Sequence, residues 1–136
     1  MMILDTEFDG NKNLNKAKLY TIQAYTPGDE LKIWEIWKYK NQRALVNAFL
    51  EWLVNNPDKI VVGYNLLKVD VPLLMFRSTS SNLADRFFER INECNIVDLH
   101  VILTFLNHGR IHGLMKWCKA FGISYKPPIQ RNEIDQ

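Results

Sequence analysis

Residues 60–74 read IVVGYNLLKVDVPLL, and this stretch decides the fold. Its first four residues form an apolar run that is typical of a short strand buried on both of its faces. Proline is tolerated in the first turn of a helix, so Pro72 predicts a helix that begins near Asp70 or Val71. A buried strand that passes through a short polar turn into a helix is typical of α/β proteins.

Three predicted strands and one helix precede this stretch. The first strand starts at Met2 and ends close to the Asp9-Gly10 turn. Residues 17–25 (AKLYTIQAY) and 31–38 (LKIWEIWK) are rich in β-branched and aromatic side chains, and a Thr-Pro-Gly-Asp turn separates them. Residues 41–56 then carry apolar side chains at helical spacing, so they predict a helix that Asn41 caps.

Further elements follow in the second half of the chain. Helical spacing recurs over residues 83–91, residues 96–99 predict a fifth strand, and a last helical stripe from Ile111 to Phe121 ends at Gly122. The resulting order is strand-strand-strand-helix-strand-helix-strand-helix. This order predicts a mixed sheet with helices on its faces, in which three antiparallel strands are followed by two strands parallel to the first.

The composition predicts one soluble intracellular domain over residues 1–136. Hydrophobic residues make up 47% of the chain and 17 basic residues nearly balance 15 acidic ones, which excludes a disordered or polyelectrolyte tail. The amino terminus lacks the features of a secretion signal, and two cysteines are too few for a disulfide framework. No apolar run is long enough to span a membrane. We therefore expect a cytoplasmic protein with no membrane partner.

Acidic residues lie at the predicted ends of two strands. Asp5 and Glu7 are two residues apart on a strand, so their side chains leave the same face. Two such carboxylates repel each other unless a cation neutralises them, and Mg²⁺ prefers oxygen ligands of this type. Asp70 could lean over the end of the sheet toward them. The alternatives are a solvated strand end for the pair and helix capping for Asp70, while Asp9 is favoured as a turn residue.

Taken together, these stretches resemble the DEDD (DnaQ-like) superfamily of 3′–5′ exonucleases, in particular the proofreading domain of family B DNA polymerases. Residues 3–7 (ILDTE) are similar to the first exonuclease motif of that family. Residues 63–65 (GYN) and 70–74 (DVPLL) are similar to its second motif, although Val69 stands where the family usually has an aromatic residue. Residues 97–99 and 114–123 resemble the next strand and helix.

The resemblance implies a ribonuclease-H-like α/β fold, with a mixed five-stranded sheet flanked by helices. It also implies a hydrolase that removes nucleotides from the 3′ end of single-stranded DNA, with RNA not excluded. The implied cofactors are two divalent ions, Mg²⁺ or Mn²⁺. In that family's scheme Asp5 bridges both ions, Glu7 helps to hold one of them, and Asp70 acts on the second through water.

Four further residues are implied as substrate contacts: Thr6, Phe8, Asn65 and Lys68. Phe8 would stack on the terminal base, because aromatic stacking tolerates any base, and core packing is its equal alternative. A second hint of substrate binding comes from residues 99–132, which contain no acid and five cations, Arg110, Lys116, Lys119, Lys126 and Arg131. These cations could face phosphates, and a solvated surface is the equal alternative. A metal-binding pair of His108 and His112 is not favoured, because two glycines interrupt that stretch.

One motif of the family is not found. Its third motif, Tyr- or His-x-x-x-Asp, supplies a fourth carboxylate, whereas Glu133 and Asp135 follow no Tyr or His at that spacing. We expect a polymerase, a second subunit or a missing C-terminal segment to supply this acid. The alternative function is a catalytically impaired nucleic-acid-binding or accessory module that keeps the exonuclease fold.

Overall fold

The computed structural model describes residues 1–56, 58, 60–78 and 81–124. The chain divides into two compact units, Met1–Val101 and Ile102–Gln136. The sheet and all the acids of the two motifs lie in the first unit. That residues 1–136 form a single domain stays a prediction.

Five strands form one mixed sheet. They are β1 (Met2–Phe8), β2 (Leu19–Tyr25), β3 (Lys32–Glu35), β4 (Ile60–Gly63) and β5 (Asn95–Asp98), in the spatial order β3-β2-β1-β4-β5. The pairs β1–β2 and β2–β3 are antiparallel, whereas β4 is parallel to β1 and β5 is parallel to β4. The predicted α/β class and strand pairing are confirmed, and the architecture is compatible with a ribonuclease-H-like fold.

The helices of the first unit are α1 (Gln42–Val54), α2 (Val71–Met75) and α3 (Ser81–Glu93). They are followed by α4 (Leu99–Leu106), which begins in the first unit and continues into the second, and by α5 (Leu114–Ala120). Asn41 caps α1 as predicted, because its side chain accepts a hydrogen bond from the Ala44 N–H at 2.9 Å. No element was predicted for most of α4, a run (LHVILTFL) in which only His100 and Thr104, four residues apart, interrupt the apolar side chains.

The predicted third strand is too long. The structure ends β3 at Glu35 and places Ile36–Lys38 in a 3-10 turn, closed by a hydrogen bond from the Tyr39 N–H to the Ile36 carbonyl. The chain turns here to reach α1, and Trp37 is left 61% exposed rather than on a sheet face. Trp34 packs against the core, with its ring centroid 5.1 Å from those of both Phe49 and Trp52.

The core lies against one face of the sheet. Met2 and Leu4 of β1 and Val61 of β4 are buried there together with the apolar stripe of α1, Leu45, Val46, Phe49, Leu50 and Leu53. The prediction that β4 is buried on both faces is wrong for its first residue. Ile60 is 40% exposed whereas Val61 is buried, because alternate side chains of a strand point to opposite faces of the sheet.

The second unit is described over residues 102–124. It contains the end of α4, a turn with positive φ at His108 and Gly109, and α5. Gly122 follows α5 with a φ of 69°, which confirms the predicted helix end. Lys126 and Arg131 of the predicted basic segment, and the late acids Glu133 and Asp135, lie outside the described residues. No helix in the described part is long and apolar enough to cross a membrane.

Candidate functional site

The first two acids lie on the part of strand β1 that does not pair with β4. Met2, Leu4 and Thr6 are buried on its core face, whereas Asp5 is exposed and Glu7 half-buried on the opposite face. Strand β4 pairs only with Met2 and Ile3, so the acid-bearing half of β1 extends past the end of β4. Because side chains of a strand alternate between its two faces, Asp5 and Glu7 lie on the same face, as predicted.

Burial disfavours the ionisation of both Asp5 and Glu7. Desolvation raises the pKa of Asp5 from its ordinary value, although part of the side chain reaches solvent, and the Thr6 backbone N–H acts in the opposite direction. Desolvation also raises the pKa of Glu7, and the negative charge of Asp5 adds to that rise. A cation bound near Asp5 would relieve both effects.

Asp70 is the most strongly perturbed acid of the site. It ends a π-helical turn, Leu66–Asp70, is 4% exposed, and accepts a hydrogen bond from the Thr6 hydroxyl at 2.5 Å. Desolvation is the main cause that raises the pKa of Asp70 to about 7; the charge of Asp5 raises it further, while the Thr6 hydroxyl opposes the rise. Its side chain makes no capping hydrogen bond to α2, so helix capping does not account for this acid.

The turn between β4 and α2 is fixed by a residue whose role the sequence did not reveal. Asp98, buried at the end of β5, accepts hydrogen bonds from the backbone N–H groups of Asn65 at 2.8 Å and Leu67 at 3.0 Å. Asn65 has a φ of 62°, and the Asp98 carboxylate holds this left-handed turn in place. The only sequence signal was an acid at the carboxyl end of the neighbouring strand.

The structure brings the acids together in pairs. Asp5 acts electrostatically on both Glu7 and Asp70, but Asp70 is bonded to Thr6 on the core side of β1. Within the described residues there is no group of three or more Asp, Glu, His or Cys side chains that could hold a metal ion. The convergence of Asp5, Glu7 and Asp70 on shared ions stays a prediction.

By its chemistry, the pair of Asp5 and Asp70 would suit one hard divalent ion. Mg²⁺ is usually bound by one or two carboxylates, with waters and substrate phosphates as its other ligands. Asp5 and Asp70 offer two such carboxylates, and neither forms an ion pair with a residue that the structure describes. The ionised form of Asp70 therefore has hydrogen-bond donors but no cation beside it, and a divalent ion would stabilise that form. A cage of three protein carboxylates is not formed by these residues.

The four implied substrate contacts occupy different environments. The Thr6 hydroxyl is already bonded to Asp70, and the Asn65 N–H is bonded to Asp98. Phe8 is half-buried and packs against the core, which agrees with its alternative interpretation. Lys68 is exposed and forms no ion pair within the described part of the chain. Their contacts with substrate stay predictions.

No protein-family model and no curated protein matches this chain. Among solved structures, the chain is similar to the family B DNA polymerase from the hyperthermophilic archaeon Pyrobaculum calidifontis. The match covers 56% of this chain with 19% sequence identity and a TM-score of 0.47, and it spans 10% of the polymerase chain. At this TM-score and sequence identity, the similarity assigns no role to any residue of the site. The class of protein is therefore defined by its own sheet, an α/β fold with five mixed strands.

Proposed function

We propose that this chain is a metal-dependent 3′–5′ exonuclease domain that hydrolyses phosphodiester bonds at the 3′ end of single-stranded DNA. The observation that carries this proposal is the buried carboxylate of Asp70, which lies beside the acid-bearing end of β1 and is perturbed by the charge of Asp5. Functional sites of open sheets with parallel strands form beyond the carboxyl ends of the strands, where both residues lie.

In this proposal each acidic residue has a separate task. Asp5 and Asp70 bind Mg²⁺ or Mn²⁺, and Glu7 adds negative charge on the Asp5 side. Thr6 orients the Asp70 carboxylate through its hydroxyl. A bound divalent ion supplies Lewis-acid stabilisation of the phosphate and lowers the pKa of an attacking water. The second ion and the fourth acid of the family's two-ion scheme would need a further ligand, from another segment or a partner such as a polymerase. A cytoplasmic location stays a prediction.

The test is a time course with a single-stranded oligonucleotide labelled at its 3′ or its 5′ end, in Mn²⁺, Mg²⁺ or chelator. We expect slow loss of the 3′ label with Mn²⁺ and less with Mg²⁺, because Mn²⁺ binds such sites more tightly and tolerates irregular geometry. Asp5→Ala should abolish the cleavage, while Asp29→Ala, in an exposed turn, should retain it. Cleavage that persists in chelator or in Asp5→Ala refutes the proposal.

A second function is favoured by one specific observation. Because the described residues contain no group of three metal-ligating side chains, the fold can serve as a nucleic-acid-binding or accessory module with impaired catalysis. The same time course separates the two functions. Binding of the oligonucleotide with no cleavage in either metal supports the binding module.

A further inference from the structure

We infer that a basic pocket, which lies outside the acidic site, binds the phosphate groups of single-stranded DNA. The pocket has a volume of about 250 Å³, and its lining includes Asn15, Lys16, Gln42, Arg43, Phe76 and Arg77. It lies between the β1–β2 loop, the start of α1 and the residues that follow α2. This inference rests on the proposed function, because the bound ligand is the single-stranded DNA that is proposed as the substrate.

Arg77 forms the rigid floor of the basic pocket. Its guanidinium donates hydrogen bonds to the carbonyls of Leu14 and Leu73, each at 3.0 Å, and to that of Ala17. A fourth bond, from Nε to Gln42 Oε1 at 3.0 Å, joins it to α1. These contacts tie the β1–β2 loop to α1 and α2, and Lys16 and Arg43 are attached to these tied segments. One N–H of the five that a guanidinium carries has no acceptor among the described residues.

Gln42 supplies a neutral donor to the pocket. Its Oε1 accepts hydrogen bonds from the Leu19 N–H at 2.8 Å and from Arg77 Nε at 3.0 Å. Since both partners are donors, the oxygen must face them and the amide N–H₂ group points elsewhere. No acceptor for this group occurs in the part of the chain that the structure describes. A phosphate oxygen is the kind of acceptor that would satisfy it.

The charge of the pocket is positive. Lys16 and Arg43 are exposed, and neither forms an ion pair with any described residue. No acid lines the pocket, and Asp9 is the acid whose charge acts on Arg77. Arg43 lies in the first turn of the 13-residue helix α1, whose amino-terminal dipole adds further positive potential. Three cations with no acid in the lining favour a polyanion over a neutral ligand.

The basic pocket is close to the acids along the chain. The loop that carries Lys16 follows directly after β1, and Arg77 comes seven residues after Asp70. The five residues of α2 span about 7.5 Å at the rise of an α-helix, a distance that a strand held at the acids would cover within a few nucleotides. Phe76 is 59% exposed beside the cations and offers a surface on which a base can stack.

The test measures binding without cleavage. Fluorescence anisotropy of a 5′-labelled single-stranded oligonucleotide is recorded in chelator over a series of salt concentrations. The variant is Lys16→Gln with Arg43→Gln, and the matched control is Lys32→Gln with Arg86→Gln, which removes the same charge outside the pocket. For the pocket variant we expect weaker binding and a plot of log K against log salt that is shallower by about 1.4, since each lost phosphate contact removes about 0.7. The control should keep a steeper slope than the pocket variant.

Each outcome bears on the inference. Equal slopes for the two double variants would overturn the inference. It would also be overturned if the pocket variant lost the binding of inorganic phosphate but bound the oligonucleotide as the wild type does, since the pocket would then hold a free anion. Unchanged thermal unfolding of the pocket variant shows that the fold is intact. If the pocket variant binds weakly while the wild-type chain cleaves nothing, the inference stands and the proposed exonuclease fails. If the wild type cleaves the oligonucleotide and the pocket variant binds it as tightly as the wild type does, the proposed exonuclease stands and the inference about the pocket fails.

Discussion

The hydroxyl of Thr6 donates a hydrogen bond to Asp70 Oδ1 across 64 positions of the sequence. This bond joins the acid-bearing half of β1 to the residue that precedes α2, and together with the backbone N–H groups of Thr6 and Asp70 it orients the Asp70 carboxylate. The middle residue of the Asp-Thr-Glu stretch therefore positions an acid of the other motif. The proposed binding of a metal ion by Asp5 and Asp70 would require the carboxylate orientation to which this bond contributes.

We expect Thr6→Val to destabilise the protein more at pH 8 than at pH 5. A buried carboxylate that loses a hydrogen bond costs about 1.5–3 kcal/mol, and this cost falls when the carboxyl is protonated. Because the pKa of Asp70 is about 7, the carboxyl is charged at pH 8 and mostly neutral at pH 5. Urea unfolding at both pH values measures the free energy of unfolding.

Thr26→Val is the matched control for that measurement. The Thr26 hydroxyl donates to Asp58 Oδ2 at 2.9 Å, and this bond is the main cause that lowers the pKa of Asp58. Asp58 is therefore ionised at both pH 5 and pH 8, so the control should lose the same free energy at each. A loss for Thr6→Val that does not change with pH would show that Asp70 does not titrate between these values.

Mn²⁺ binding should require Asp5 but not Asp9. Free Mn²⁺ gives an electron paramagnetic resonance signal that decreases when the ion is bound, so a titration measures the affinity directly. We expect Asp5→Asn to weaken binding at least tenfold, because it removes a charged oxygen ligand from the pair with Asp70. Asp9→Asn should bind as the wild type does, since the Asp9 side chain accepts a hydrogen bond from the Asn11 N–H in a turn. Equal affinities of the two variants would contradict the assignment of Asp5.

Asp98→Asn should loosen the turn between β4 and α2. The amide has only one acceptor oxygen, so the hydrogen bonds from Asn65 and Leu67 cannot both be kept, and we expect a loss of about 2 kcal/mol. Hydrogen exchange should accelerate at the Asn65 and Leu67 amides more than in α1. Asp29→Asn, in an exposed turn, is the control that should change neither. Uniform acceleration across the sheet would instead indicate a global loss of stability.

The topology could be predicted from the sequence because local patterns determine it. The run at residues 60–63 and the Asn41 cap both occur where they were predicted, and short loops leave few ways to connect the strands. The π-helical turn before α2 was not predictable, because it depends on Asp98 from a strand more than thirty residues away. The contact of Thr6 with Asp70 was missed for the same reason. Alternation assigns Thr6 to the core face, but it does not reveal which buried partner it meets.

Gly63→Ala should destabilise the junction of β4 with this turn. A Cβ at Gly63 would lie 3.0 Å from Leu66 Cβ and 3.1 Å from the Leu4 carbonyl oxygen, so backbone or core atoms would have to move. Overpacking of this kind costs about 1–3 kcal/mol. Gly113→Ala is the control, because a Cβ there meets nothing within 4 Å. Thermal unfolding of the two variants compares them, and similar melting temperatures would mean that the junction relaxes without cost.

Asp70→Asn should stabilise the metal-free protein increasingly as the pH rises from 4 to 8. The pKa of Asp70 is raised from its ordinary value of 3.8 to about 7 in the folded chain. A raised folded-state pKa contributes stability that is fully present below the unfolded value and is lost as the pH rises through the folded one. The wild type should therefore lose on the order of 3–4 kcal/mol relative to the variant over this window, at most the full shift. Urea unfolding in chelator measures the difference, with Asp85→Asn, at an exposed position of α3, as the control.

Adding Mn²⁺ at pH 8 should restore stability to the wild type more than to Asp70→Asn, because only the wild type has a carboxylate there for the ion to neutralise. A difference between wild type and Asp70→Asn that stays constant from pH 4 to pH 8 would show that burial does not hold a proton on this acid.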